Sequence, residues 1–134
     1  MLIALLFGWT VSVTATFAHG ALAAGVPDDV AKDGVAVKYW LQADTPEAAS
    51  ASAMRSCRQA NTSETARAKC QIVRTFSGQC AAIALDPQDG TPGYGWGVGD
   101  DQNTAEREAT VMCYATSPTE RTQFCKITAS GCDR

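Results

Sequence analysis

The side chains of this chain that could do chemistry are six cysteines, a few neighbouring carboxylates and one histidine. Cys57, Cys70, Cys80, Cys113, Cys125 and Cys132 are even in number and include no C-x-x-C pair. Thiolate metal sites need closer spacing, so this dispersed set reads as disulfides made in an oxidising compartment. His19 lies in an N-terminal segment that is expected to be removed, which leaves the mature chain without imidazole. That takes away the usual general base, the Ser-His and Cys-His nucleophile pairs and imidazole metal ligands. Carboxylates remain: Asp100-Asp101, and Asp86 with Asp89. Two acids at a suitable separation suffice for glycoside hydrolysis, but adjacent acids beside a turn ordinarily cap a helix or face water. A calcium loop at 86–90 lacks the alternating oxygen ligands and the distal Glu of an EF-hand. No catalytic residue, metal or cofactor is therefore expected, and the chain reads as a non-enzyme.

The segment Gly93-Tyr94-Gly95-Trp96-Gly97-Val98-Gly99 is the most unusual. Its glycines alternate and do not follow the dinucleotide pattern G-x-G-x-x-G. On a strand, Tyr94, Trp96 and Val98 share one face and the other face is bare, as happens where a backbone or a ligand approaches closely. Tyr94 and Trp96, with Asp100 and Asp101 just beyond, form the candidate ligand-binding set. The competing reading packs Trp96 in the core, as Trp40 would pack in an equivalent place.

The elements around these residues repeat. At an offset of 56 residues Asp33-Gly34 meets Asp89-Gly90, Trp40 meets Trp96, Asp44 meets Asp100, and Ala49, Ala53 and Cys57 meet Ala105, Ala109 and Cys113. With one deletion, Cys70-Gln71-Ile72 meets Cys125-Lys126-Ile127. Each copy reads as strand, helix, strand. In the first, residues 35–41 are the strand, Thr45 caps the helix with Pro46 at its first position, and Ala49, Ala53 and Cys57 line one helical face. In the second, residues 94–98 are the strand, 103–106 resemble a capping arrangement, and Ala105, Ala109, Met112 and Cys113 make the stripe. Residues 70–76 and 80–85 around Ser77-Gly78 read as a hairpin, 86–93 as a turn-rich linker, and 24–30 as a loose lead. The fold class is α+β: a small disulfide-stapled domain with a mostly antiparallel sheet, two helices and a pseudo-twofold duplication. Its halves are about 33–85 and 89–134.

Six cysteines allow many pairings. In the hairpin, Cys80 would oppose Thr75 and Cys70 would lie further along on the other face, beyond the roughly 7 Å that a bridge spans. Each helix ends in a cysteine and the next strand begins with one. Cys57–Cys70 and Cys113–Cys125 are therefore favoured, with Cys80–Cys132 joining the copies.

Residues 1–24 differ from the rest. They carry an apolar run, no acid, Lys or Arg, and the small residues Gly20-Ala21-Leu22-Ala23-Ala24. This reads as a secretory signal cleaved after Ala23 or Ala24, leaving one domain over 25–134 with no membrane span. The 11 Lys and Arg and 14 Asp and Glu are interspersed and give a net charge of −3. That argues against a nucleic-acid partner, which needs a concentrated basic face.

The run Gln79-Cys80-Ala81-Ala82-Ile83-Ala84-Leu85, then Gly95-Trp96-Gly97, then an Ala-rich helix ending at Cys113 with Cys125 beyond, resembles a secreted bacterial family. It is the domain of unknown function numbered four-one-eight-nine, and the resemblance covers about residues 35–134. The chain departs from it in a longer Cys57–Cys70 spacing and a short tail after Cys132. The resemblance implies secretion and carries over no activity or catalytic residue. The expected role is a secreted or periplasmic binding module for a protein or envelope component, such as an inhibitor, an immunity factor or a host-interface protein. A small envelope hydrolase using carboxylates is the alternative, and small-ligand or calcium binding the next.

Overall fold

Two periodicities build the molecule: strands whose successive residues face opposite ways, and helices whose alanines recur every four residues. The computed structural model describes Val11 and residues 18–134. Apart from Val11, the apolar run of the expected signal peptide lies outside the described residues. In chain order the elements are β1 (His19–Gly25), α1 (Val30–Asp33), β2 (Ala36–Ala43), α2 (Pro46–Arg58), α3 (Glu64–Ala68), β3 (Gln71–Ser77), β4 (Cys80–Leu85), β5 (Tyr94–Gly99), α4 (Gln102–Thr116), a 3-10 helix (Thr119–Phe124) and β6 (Lys126–Cys132).

The strands form two antiparallel three-stranded sheets, ordered β2-β1-β3 and β5-β4-β6. Leu22 and Ala24 of β1, Val37 of β2 and Phe76 of β3 meet Ala81, Ile83 and Val98 of the second sheet in one core. The alternate residues of each sheet face a helix. Ala21, Ala23 and Ala36 pack under Ala49, Ala53 and Cys57 of α2. Cys80, Ala82 and Ala84 pack under Ala105, Ala109 and Cys113 of α4. The result is four layers: helix, sheet, sheet, helix. The α+β class, the antiparallel pairing and the two principal helices stand as the sequence indicates, but the sheet is split in two.

The repeating unit is one strand longer than expected: strand, strand, helix, strand. β1, β2, α2 and β3 correspond to β4, β5, α4 and β6, so the halves run over 19–77 and 80–132. Residues 71–77 and 80–85 are strands but not a hairpin. β3 pairs with β1, whereas β4 pairs with β5 and β6. Between them the chain steps from one sheet to the other at Gly78 (φ 65°).

The N-terminal boundary also moves. Residues 19–24 belong to the central strand of the first sheet, and Ala21, Leu22, Ala23 and Ala24 are at most 1% exposed. Cleavage after Ala23 or Ala24 would take away the strand to which both β2 and β3 bond. The domain thus begins at His19, and residues 24–30 are not a loose lead: they finish β1 and enter α1.

Thr45 caps α2 as expected, accepting from the Ala48 N–H at 3.1 Å. α4 is capped two residues earlier than the sequence indicates, by Asp101. Three disulfides close the structure: Cys57–Cys70 and Cys113–Cys125, the pairs inferred from helix and strand ends, and Cys80–Cys132, the pair that remained. The first two join a helix to the strand after it, and the third joins facing residues of β4 and β6. It therefore lies within the second half and does not tie the two halves together.

Candidate functional site

The bare face of β5 is filled by a helix. A Cβ on Gly97 would sit 2.2 Å from the Ala105 carbonyl oxygen, and one on Gly95 would sit 2.1 Å from that of Ala109. The glycine alternation lets α4 lie backbone-to-backbone on the strand. The opposite face carries Tyr94 and Trp96, stacked at 5.9 Å between ring centroids and half-buried, with Trp96 against the core between the sheets.

Trp40 does not repeat this. It stands 45% exposed on the α2 side of β2. The β1–β2 register sets Leu22 opposite Tyr39, as the β4–β5 register sets Ile83 opposite Trp96. Tyr39 therefore takes the place of Trp96, and burial in the inter-sheet layer raises its phenol pKa. A one-residue slip turns a strand side chain to the opposite face. Here the slip is absorbed by a bulge in β2, where Trp40 pairs with Ala21 but Ala43 pairs with His19. Gln42 in that bulge has φ 60°, and its N–H donates to Asp133 Oδ1 at 2.6 Å. Asp133 is 1% exposed, and its own N–H donates to the Gln79 carbonyl at 2.7 Å. The C-terminus of the second half is thus clasped to the irregular strand of the first.

Asp100 and Asp101 follow the far end of β5 from Tyr94, about 20 Å away at the usual strand rise. Asp101 is the N-cap of α4. Its carboxylate accepts from the Thr104 N–H at 2.7 Å, and that bond lowers its pKa. Asp100 Oδ1 accepts from the Gln79 amide at 3.1 Å, and its carbonyl accepts from Arg134 at 2.6 Å. The four candidate ligand residues therefore form two separate pairs at opposite ends of one strand.

Asp86 is equally committed. Its side chain is fully buried and takes a two-pronged bond from Arg121, Nε to Oδ2 at 2.6 Å and Nη2 to Oδ1 at 2.9 Å. The Gln88 N–H adds a third bond at 3.1 Å. The Arg121 bond chiefly holds the Asp86 pKa down at about 2. Arg121 also lies 4.2 Å over the Phe124 ring. This pair fastens the 3-10 helix to the 86–93 loop, with both carboxylate oxygens engaged.

The two Asp-Gly turns of the repeat do converge. Asp33-Gly34 and Asp89-Gly90, with Gly34 and Gly90 both at positive φ, line one polar cleft of about 390 Å³ with Thr62 and Asp86. Among the described residues no group of three His, Cys, Asp or Glu is placed to hold a metal ion. A shallower groove of about 250 Å³ beside β1 is lined by His19, Pro46, Thr75, Phe76 and Ser77. His19 faces Ser77 across the strands, a pairing hidden from a reading that removes His19. The Ser77 hydroxyl donates to the Ala18 carbonyl at 3.0 Å, and among the described residues no carboxylate lines the groove.

Searches among curated proteins and among solved structures return no match. A family model described as Domain of unknown function (DUF4189) matches residues 19–132, from the first residue of β1 to the last of β6, and the chain belongs to that family.

Proposed function

We propose that this protein is an exported binding module, stapled by disulfides, that contacts a protein or another envelope component outside the cytoplasm and does not catalyse a reaction. The pairing of all six cysteines supports an oxidising location. No helix of the described residues is long and apolar enough to cross a membrane. Against a carboxylate hydrolase weigh the commitments of the acids: Asp101 caps a helix, Asp86 is held by Arg121 and Asp100 by Gln79.

Trp40 carries the binding reading. A tryptophan left 45% exposed gains little for the fold, and tryptophan is strongly enriched among residues that dominate protein interfaces. It stands on β2, an edge strand whose outer backbone groups have no neighbouring strand among the described residues. The β2 bulge and the Asp133 clasp hold it turned outward.

The test is crosslinked capture from envelope extracts with the oxidised protein and its Trp40→Ala variant, after matching their melting temperatures. A saturable partner retained by the parent and lost by the variant is expected. Equal capture by both, or turnover of a glycan panel without any saturable partner, refutes the proposal.

A further inference from the structure

We infer that the chain is processed at the Ala18–His19 bond, so that the working protein begins with His19. The inference rests on the export reading above and adds to it the bond that is cut.

The fold excludes the later sites. β1 bonds to β2 along one edge and to β3 along the other, and its register runs from His19 to Gly25. Ala21 to Ala24 are inaccessible to solvent on both faces, under α2 on one side and the second sheet on the other. Removing residues 19–23 would leave two strands with unpaired inner edges and two apolar cores open to water, a loss no small domain withstands. Even losing His19 and Gly20 would strip the partners of Ala43, Ser77 and Phe76.

The sequence offers a site just ahead of this strand. Leader peptidases read small uncharged residues at the last and third-last positions of the leader. Thr16-Phe17-Ala18 supplies them, after a mostly apolar stretch from Leu2 to Val13 and the small residues Thr14-Ala15. Ala18 directly precedes β1, and the DUF4189 domain starts at the next residue. Water adds across the Ala18–His19 amide, giving a carboxylate on Ala18 and an ammonium on His19. In the uncut chain the Ala18 carbonyl accepts from Ser77, so cutting precedes the docking of β1 against β3.

The mature protein would then keep its one histidine.

The full chain is expressed in a bacterial host, and its envelope and cytosolic fractions are analysed by intact mass and N-terminal sequencing. The expected product starts His19-Gly20-Ala21-Leu22 and carries three disulfides. Ala18→Leu should accumulate the uncut precursor. A folded, three-disulfide product starting at Ala24, Gly25 or any residue other than His19 overturns the assignment. So does unaltered processing of Ala18→Leu. An uncut chain found in the envelope overturns the cut but leaves export standing, whereas an uncut chain confined to the cytosol overturns both.

Discussion

Replacing Gly97 by alanine sets two effects against each other, and the structure fixes the winner. Alanine narrows the unfolded ensemble, which at a tolerant site stabilises a protein by about 0.4–1 kcal/mol. In β5, however, the new Cβ would lie 2.2 Å from the Ala105 carbonyl oxygen and 2.8 Å from the Ala109 nitrogen. Both are backbone atoms of α4, so no side chain can rotate away. Relief requires the helix to lift by about 1 Å, and a gap of that size forfeits a quarter to a half of the dispersion energy across the contact. Ala105, Ala109 and Cys113 all sit on that contact and are fully buried. Taking ~40 atom pairs at about 0.15 kcal/mol each, the loss is about 1.5–3 kcal/mol, within the usual range for overpacking. The net effect is a destabilisation of about 1.5 kcal/mol, or ~6 °C in melting temperature for a domain of this size.

Gly90→Ala is the control. A Cβ there meets nothing within 4 Å, but φ is +82°. The left-handed backbone costs about 1 kcal/mol, partly offset by the unfolded-state gain, so the melting point should move by less than about 4 °C. Thermal unfolding of the oxidised proteins by far-UV circular dichroism decides the matter. Gly97→Ala melting within about 2 °C of the parent would refute the claim that the glycine face exists to seat α4.

Other expectations follow from the same packing and electrostatics. The Asp86 pKa lies below its ordinary value, at about 2 against 3.8, so its contribution is full above about pH 5 and is lost as pH falls towards 2. Asp86→Asn should therefore cost about 2 kcal/mol in urea unfolding at neutral pH and converge with the parent near pH 2; a constant gap across that range counts against the Arg121 latch. Trp96→Ala should lower stability by about 2 kcal/mol, half the cost of a fully buried site, and Trp40→Ala by less than about 0.5 kcal/mol; equal losses would contradict the face assignment. Replacing Cys113 and Cys125 by serine opens a loop of 12 residues and should cost about 3 kcal/mol by chemical denaturation, an unchanged midpoint being the contrary result.

Where the sequence could be read, side-chain type and spacing carried the information through physics that is local. Thr45 with Pro46, and Ala49, Ala53 and Cys57 four residues apart, mark α2 without any tertiary knowledge, and the matching stripe marks α4. The copies could be aligned on helices because Cys57 and Cys113 end corresponding stripes. On strands the same alignment failed by one residue. Trp40 and Trp96 are rare enough to attract an alignment, but the bulge at Gln42 sets Tyr39 opposite Leu22 instead. That bulge is held by Asp133, 91 residues away, and no local signal reports a contact of that range. The placing of the candidate residues is hidden for a related reason. Tyr94, Trp96, Asp100 and Asp101 are neighbours in sequence, but a strand separates its ends and a cap consumes an acid.

β1 was misread because a central strand and a leader peptide present the same composition. A strand buried on both faces shows no alternation and reads as an uninterrupted apolar run. When a helix lies on one of those faces, the residues beneath it must also be small, which turns the run into alanines and glycine. Gly20-Ala21-Leu22-Ala23-Ala24 meets both demands: Ala21 and Ala23 lie under α2, while Leu22 and Ala24 face the second sheet. Small residues after an apolar stretch are also what a leader peptidase requires. The internal repeat distinguishes the two. Ala81-Ala82-Ile83-Ala84-Leu85 has the same small–large pattern, lies far from any terminus, and forms the central strand of its own sheet. A unit duplicated as strand, strand, helix, strand needs a leading strand in both copies, and in the first copy residues 19–25 supply it.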